Sequence, residues 1–235
     1  MNQSTVDLAV LDIAGTTVDE GLRVYQVLAE TVRAHGGAPS DADLNRWHGS
    51  AKHEALKALL TDPAGHGPEP DRLAAVVDDF RARLKAVYAA HPPVPLPGVV
   101  EAIGRLRRAA TKVVLNTGFD REIVTMLLAA LGWEGDAVVD GVVCGSEVRQ
   151  GRPAPFMIFR AMELAGVTAR SRVLVAGDTP RDLQAGVNAG AGYVVGVLSG
   201  AGTVEELGAE THTHLLPSVA DIPRLAGIPD LQETR

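Results

Sequence analysis

The chain has 235 residues, 46% of them hydrophobic, and its formal net charge is −7. This composition predicts a packed globular protein, and the acidic balance excludes nucleic acid and an anionic membrane as expected partners. No apolar run could span a bilayer, the first residues lack a secretory pattern, and Cys144 is the only cysteine, so we expect a cytoplasmic protein without internal disulfides.

The first predicted element is a short buried strand that is followed by a carboxylate. Leu8–Leu11 is an apolar run, and Asp12 comes directly after it, ahead of the glycine-containing segment 13–17. In open parallel sheets, ligands bind at the carboxyl ends of the strands. A carboxylate at that end, beside free backbone N–H groups, suits a nucleophile that faces an anionic substrate.

A helical pattern without strands then extends from about residue 21 to residue 91. The predicted helices are Arg23–His35, Asp41–Trp47, Lys52–Leu60 and Asp71–Ala90, with Asp41 or Ser40 as an N-cap. A proline-rich segment, 91–98, predicts a stiff connector. We therefore predict a core domain made of residues 1–20 and 93–235, and an inserted α-helical cap domain made of residues 21–92.

After the connector, predicted strands and helices alternate. The strands are Val113–Leu115, Val138–Val139 with Val142–Val143, Val173–Ala176 and Tyr193–Val197, and the helices are Glu101–Arg108, Arg121–Leu131, Ala154–Ala165 and Arg181–Ala189. His212 and His214 alternate in a further run, which we interpret as a terminal strand rather than a metal site. The alternation predicts parallel βαβ units, and hence an α/β fold with a doubly wound, Rossmann-like parallel sheet.

Polar groups recur at the ends of these later elements. Thr117 and Gly118 follow one predicted strand, Arg152 precedes a predicted helix, and Asp178 and Asp182 follow another strand. A hydroxyl, a backbone N–H and a guanidinium could hold phosphoryl oxygens, whereas carboxylates are the hard oxygen ligands that Mg²⁺ prefers. Each feature alone could be a cap or a turn. Together and in this order, they predict a site for phosphoryl transfer.

The same motifs, from Asp12 to Asp182, resemble the four motifs of the haloacid dehalogenase superfamily of hydrolases. The resemblance spans almost the whole chain, and the segment between Gly21 and His91 looks like the helical cap that many members carry after the first strand. It implies that Asp12 is a nucleophile that forms an aspartyl-phosphate, with Mg²⁺ as the cofactor.

The resemblance also implies roles for the other site residues. Mg²⁺ would be bound by Asp12, by the backbone carbonyl of Ala14 and by Asp178, and Asp182 would order the outer shell of the metal. The groups that hold the phosphoryl oxygens would be those of Thr117, Gly118 and Arg152.

Ala14 occupies a position at which most phosphatases of the superfamily carry an aspartate that acts as the general acid. A methyl group donates no proton, so hydrolysis of an ordinary phosphate ester should lose a factor of about 10²–10⁴. Alanine at this position is known from the phosphonatases, or phosphonoacetaldehyde hydrolases, and the string from Asp12 to Gly21 resembles that branch. Gly49 and Lys52 match its Gly-x-x-Lys spacing, which implies that Lys52 forms a Schiff base with a substrate aldehyde.

Other positions differ from the phosphonatase pattern, so we keep alternatives for the function. The residues at the aldehyde-handling positions are Leu22, His48, Ala55 and Phe119. Lys52 could instead act as an electrostatic clamp, or simply be solvated. The alternative functions are a phosphate-monoester phosphatase for a small metabolite, of the phosphoglycolate or sugar-phosphate type, and a non-catalytic binding protein. The expected partner is a small phosphorylated or phosphonate metabolite, and a homodimer is an open possibility.

Overall fold

The computed structural model describes residues 4–135 and 137–229. Its strands are β1 (Leu8–Asp12), β2 (Val18–Asp19), β3 (Val94–Pro95), β4 (Lys112–Thr117), β5 (Gly141–Cys144), β6 (Val173–Gly177), β7 (Tyr193–Val197) and β8 (His214–Leu216). Six of them form a sheet in the order β5-β4-β1-β6-β7-β8, and every neighbouring pair in it is parallel. The parallel sheet of the α/β prediction is therefore confirmed, and β1 lies at its centre.

The helices of the described residues are α1 (Arg23–Ala34), α2 (Asp41–Asn45), α3 (Lys52–Leu59), α4 (Pro70–Ala90), α5 (Val99–Arg108), α6 (Arg121–Leu131), α7 (Phe156–Ala165), α8 (Pro180–Ala189), α9 (Val204–Gly208) and α10 (Ile222–Leu225). Within these ranges, no helix combines the length and the apolar character that crossing a membrane requires.

Both faces of the sheet are covered by helices, because alternate residues of a strand point to opposite sides. Leu8 and Val10 of β1 pack in a cluster that includes residues of α7 and α8. Ala9 and Leu11, on the other face, pack in the larger cluster that includes residues of α5 and α6. This two-sided burial explains why β1 is apolar throughout, and it confirms the doubly wound arrangement.

The helices α1–α4 lie in the chain between β2 and β3, which pair with each other in an antiparallel ribbon. Val18 stands opposite Pro95, and Asp19 opposite Val94. The chain therefore leaves and re-enters the sheet-forming part through two paired segments. Of the two residues predicted as the N-cap of α2, Ser40 is the one that caps it, in a reciprocal arrangement with Asp43.

Among the predicted elements whose bounds differ from the structure, two have a physical reason. Val138 and Val139 are not part of a strand, and β5 begins only at Gly141, because the side chain of Asp140 accepts the Val113 N–H at 2.9 Å. Helix α7 begins at Phe156 rather than at Ala154. Ala154 precedes Pro155, and the ring of a proline disfavours the helical conformation of the residue before it.

Candidate active site

Three carboxylates meet at the carboxyl edge of the central strands. Asp12 ends β1, Asp178 directly follows β6, and Asp182 lies in the first turn of α8. Their exposed fractions are 6%, 1% and 2%, and one oxygen of each lies within 4.8 Å of the others. The structure thus brings together the predicted nucleophile, the predicted metal ligand and the predicted supporting carboxylate. Asp182 is therefore a buried member of this cluster and not an exposed helical carboxylate.

Arg152 joins two of these carboxylates from the loop before α7. Its Nη2 donates to Oδ1 of Asp12 at 2.5 Å, and its Nη1 donates to Oδ1 of Asp182. The other oxygen of Asp182 accepts from the backbone N–H and the hydroxyl of Thr179. Both oxygens of Asp182 are therefore occupied, which suits a residue that orients Arg152 and the loop after β6. The guanidinium is placed beside the predicted nucleophile, where it could contact a phosphoryl oxygen.

Asp178 is oriented by two donors from separate loops. The hydroxyl of Thr16 donates to its Oδ1 at 3.0 Å, and the N–H of Ala201 donates to its Oδ2 at 2.7 Å. Burial, together with the charges of Asp12 and Asp182, raises the pKa of Asp178 from 3.8 to about 8. Burial is also the main reason why the pKa of Asp12 rises to about 6, against the opposing charge of Arg152.

This charge balance fits a divalent cation. Three close, buried carboxylates face one guanidinium, which leaves up to two negative charges without compensation when all three are ionised. Burying such charge is unfavourable unless a cation neutralises it. Carboxylate oxygens are the donors that Mg²⁺ prefers. Asp12 and Asp178 could provide them, and Ala14, in the loop directly after β1, could add its backbone carbonyl.

We expect Mg²⁺ to raise the melting temperature, and to do so more at about pH 8 than at about pH 5. The pKa values of Asp12 and Asp178 are higher in the folded chain than the 3.8 of an unperturbed aspartate. Between these values the folded state binds more protons than the unfolded state, so the stability of the metal-free protein should fall as the pH rises. Thermal denaturation with Mg²⁺ or with EDTA measures the difference. Asp178→Asn should remove most of the increase in melting temperature that Mg²⁺ causes. An equal increase at both pH values in the unmodified protein would contradict the assignment of these aspartates as metal ligands.

Thr117 and Gly118 lie at the end of β4, beside Asp12 in the sheet. Asp12 is opposite Asn116 in the register of β1 and β4, so Thr117 follows one residue beyond it. The Thr117 hydroxyl oxygen accepts the Phe119 N–H at 3.2 Å, which leaves its proton available for a phosphoryl oxygen. Gly118 also contacts the helical insert, which consists of α1–α4 between β2 and β3. The carbonyl of Gly118 accepts the backbone N–H of Lys52 at 3.1 Å.

Lys52, the first residue of α3, is buried between aromatic rings rather than solvated. Its side chain lies with Nζ 5.1 Å from the ring centre of Tyr25 and 5.7 Å from that of Phe119. Nζ donates to the carbonyl of Ser50 at 3.2 Å, and the residue is only 7% exposed. Burial, with the charge of Arg152, lowers the pKa of Lys52 to about 8. About a tenth of the amine is thus neutral at pH 7, and the neutral form is the one that can act as a nucleophile.

The loop before Lys52 contacts the loops of the sheet with little space to spare. A Cβ atom on Gly49 would lie 2.3 Å from the Thr179 hydroxyl oxygen, and one on Gly118 would lie 2.1 Å from the Ser50 carbonyl oxygen. Both glycines are therefore required by close approach between the insert and the site.

We expect Gly49→Ala to lower kcat/KM by about 10- to 100-fold, because the added methyl group would displace Lys52 and its loop from Thr179. Gly36→Ala is the matched control. Gly36 also lies in the insert with a positive φ, of 89° against 72° for Gly49, but a Cβ there would meet nothing within 4 Å. Steady-state kinetics should separate the two variants. Similar losses in both would mean that backbone strain, and not contact with the site, is responsible.

Several residues around the site escape prediction from the sequence. Thr16, within the first motif, orients Asp178, and the repeated threonines there were the only available signal. Tyr25 stacks on His48 with ring centres 3.9 Å apart and accepts the Gly49 N–H at 3.3 Å. Tyr25 and Lys52 are brought together by the packing of the helices between β2 and β3. No pattern in the sequence therefore links the two residues.

A family model for haloacid dehalogenase-like hydrolases matches residues 6–190. The chain therefore belongs to the haloacid dehalogenase-like hydrolases, a family of enzymes. It is 32% identical over 203 residues to a phosphonoacetaldehyde hydrolase of Paraburkholderia xenovorans, and the alignment covers 82% of this chain and 74% of that protein. It is also 30% identical over 219 residues to a phosphonoacetaldehyde hydrolase of Bacillus cereus, and this alignment covers 88% of this chain and 81% of that protein. The resemblance to the phosphonatase-like branch is thereby confirmed.

The fold is also found in a solved structure, that of a phosphonoacetaldehyde hydrolase-like protein from Oleispira antarctica. The two chains superpose with a TM-score of 0.80 at 21% identity, over 97% of this chain and 94% of the other. At this level of identity, the similarity supports the fold alone.

Proposed function

We propose that the protein is a magnesium-dependent hydrolase that cleaves the carbon–phosphorus bond of a small phosphonate with an aldehyde group, such as phosphonoacetaldehyde. The observation that carries the proposal is the buried amine of Lys52 beside the loop after β4, where the Lys52 backbone N–H donates to the Gly118 carbonyl. A site with a carboxylate nucleophile and an amine could react with both ends of such a substrate. The names of the relatives from Paraburkholderia xenovorans and Bacillus cereus support this substrate class.

Lys52 would act first. Its neutral amine condenses with the aldehyde carbon and releases water, which gives an iminium ion. A carboxylate oxygen of Asp12 then attacks phosphorus, the carbon–phosphorus bond breaks, and its electron pair moves onto carbon to form an enamine. No proton donor at Ala14 is needed, because the iminium accepts the electrons. The enamine carbon then takes up a proton from water, which gives an imine, and hydrolysis of the imine releases the aldehyde and frees Lys52. Hydrolysis of the aspartyl-phosphate releases phosphate and restores Asp12.

The groups that would hold the phosphoryl oxygens are Thr117, Gly118 and Arg152. Their positions beside Asp12 support this role, since Arg152 already contacts the Asp12 carboxylate. Mg²⁺ bound by Asp12, Ala14 and Asp178 would offset the repulsion between the phosphonate and the attacking carboxylate. Asp182 would act through Arg152 and Thr179, which it hydrogen-bonds.

We also propose that residues 21–92 form the cap domain, and that residues 1–20 and 93–235 form the core. The pairing of β2 with β3 near both proposed boundaries supports this division. The insert would exclude water from the amine chemistry by its contact with the loops after β4 and β6. Glu54 of α3 adds a contact with the loop before α7 by accepting the Gly151 N–H at 3.1 Å.

A phosphate-monoester phosphatase is the second candidate, and the surroundings of Lys52 favour it. Leu22 is 47% exposed, and Ala55 is packed in the hydrophobic core, so neither offers a polar group to an aldehyde. Phe119 presents a ring without a hydroxyl. Lys52 would then clamp an anionic substrate, of the phosphoglycolate or sugar-phosphate type, instead of forming a covalent bond.

A direct comparison of substrates tests the proposal. Phosphate release is measured with phosphonoacetaldehyde, phosphoglycolate and sugar phosphates, with Mg²⁺ and with EDTA. We expect turnover of the phosphonate with Mg²⁺, and a borohydride-reduced adduct on Lys52 by mass spectrometry. Turnover confined to phosphate esters, with no adduct, would favour the phosphatase.

A further inference from the structure

Arg181 is a half-buried arginine that the proposed chemistry does not use. It is the second residue of α8, directly before Asp182. Its side chain binds backbone carbonyls of both the helical insert and the core. Nη1 donates to the carbonyl of Arg152 at 3.1 Å, and Nε and Nη2 donate to the carbonyl of Arg46 at 3.2 Å and 2.9 Å. The planar, rigid fork of a guanidinium suits this pair of acceptors.

The contact on the insert side also includes an aromatic ring. The guanidinium carbon of Arg181 lies 5.1 Å from the ring centre of Trp47, which is within the range of a cation–π contact. Arg46 and Trp47 directly follow α2, in the loop that leads to Lys52. Arg181 therefore holds this loop both by the ring and by the backbone carbonyl beside it.

The loop connects the Arg181 contact with the amine of Lys52. The carbonyl of Trp47 accepts the hydroxyl of Ser50 at 2.6 Å and the backbone N–H of Ser50 at 3.3 Å. The carbonyl of Ser50 in turn accepts from Nζ of Lys52 at 3.2 Å. We call residues 46–52 the lysine segment. Because these hydrogen bonds join its parts, a displacement of Trp47 would also displace the amine.

On the core side, Arg181 binds a loop that other groups already hold in place. The carbonyl of Arg152 accepts from Arg181, whereas the guanidinium of Arg152 donates to Asp12 and Asp182. These carboxylates should keep the Arg152 guanidinium in position when Arg181 is replaced. Arg181 thus attaches the lysine segment to a fixed part of the phosphoryl site.

We propose that Arg181 is a positioning residue that fixes the lysine segment, and with it the amine of Lys52, against the loops of the phosphoryl site. The insert is joined to the core through β2 and β3, so its distance from the site depends on contacts between facing loops. Arg181 acts through Lys52 and not on the substrate. The placement of the segment is independent of the proposed function, whereas its effect on catalysis rests on that function.

Hydrogen exchange of the magnesium-loaded protein, read by mass spectrometry of peptides, tests the placement. Arg181→Gln removes the charge and the planar fork. We expect the amides of the lysine segment to exchange on the order of tenfold faster, because the Lys52 N–H is bonded to the Gly118 carbonyl only while the segment is in place. Exchange in β1 and β4 should be unchanged, which distinguishes local displacement from unfolding.

Arg160→Gln is the matched control for the loss of an arginine. Arg160 is an exposed residue of α7 that pairs with Glu163 of the same helix, so its replacement should leave the exchange of the lysine segment unchanged. Arg181→Lys provides a second variant if Arg181→Gln folds poorly. It keeps the charge without the planar fork, and it should speed exchange by less. Unchanged exchange of the lysine segment in both Arg181 variants would overturn the inference.

Kinetics with phosphonoacetaldehyde separate this inference from the proposed function. Arg181→Gln should lower kcat by about tenfold and change KM by less than about threefold, because Arg152 still binds the phosphoryl group while Lys52 is displaced. Faster exchange with an unchanged kcat would overturn the positioning role. If the unmodified protein releases no phosphate from the phosphonate, the proposed function is wrong, while hydrogen exchange still decides whether Arg181 places the lysine segment.

Discussion

Replacement of Asp12 by asparagine should lower kcat by about 10⁴-fold or more on any substrate that the enzyme turns over. An amide oxygen is a far weaker nucleophile than a carboxylate, and the aspartyl-phosphate could not form. The measurement is phosphate release at saturating substrate, together with mass spectrometry of acid-quenched enzyme to detect a phosphorylated aspartate. Asp7→Asn is the control, because Asp7 lies ahead of the same strand at the opposite edge of the sheet, where it pairs with Arg172. It should retain full activity.

The loss in Asp12→Asn should not arise from unfolding. The pKa of Asp12 is raised to about 6, so at neutral pH the folded state disfavours its ionised form relative to the unfolded chain. A neutral side chain of the same shape should therefore leave the metal-free protein at least as stable. Thermal denaturation in EDTA provides the comparison. Residual activity above about one per cent in a fully folded variant would exclude Asp12 as the nucleophile.

The placement of the phosphoryl-handling residues could be predicted because it depends on local patterns. A buried parallel strand delivers the residue that follows it to one edge of the sheet, whatever the details of packing. Asp12 and Thr117 end such strands and Asp178 directly follows one, so their convergence could be predicted from the strand positions alone. Even the wrong start of α7, at Ala154 instead of Phe156, left Arg152 in the loop that faces Asp12.

The surroundings of Lys52 could not be predicted in the same way. Helical periodicity indicated α1 and α4, but the contact of Tyr88 with Glu20 joins residues 68 positions apart. It depends on how the two helices pack, and on the pairing of β2 with β3, which is too short to leave a strand pattern. The same holds for the aromatic rings of Tyr25 and Phe119, which come from the insert and from the core. Under the proposed function, we expect substrate specificity to depend on this second set of contacts.

Lys52→Arg separates the two chemical roles that remain for this side chain. Arginine retains the positive charge but cannot form an imine, so a Schiff-base enzyme should lose about 10³-fold or more in kcat on phosphonoacetaldehyde. An electrostatic clamp should retain activity on a phosphate ester within about tenfold. Lys57→Arg, on the exposed face of the same helix, controls for the substitution itself. Its kinetics should match those of the unmodified enzyme.

The pH dependence of trapping provides an independent criterion for the same assignment. Because the pKa of Lys52 is lowered to about 8, the neutral amine fraction should rise with pH and level off above that value. The initial rate of borohydride trapping should follow this curve in the unmodified enzyme and be absent in Lys52→Arg at every pH. A trapping rate independent of pH would point to a different amine. Adduct formation in the arginine variant would do the same, because the nucleophile would then lie elsewhere in the chain.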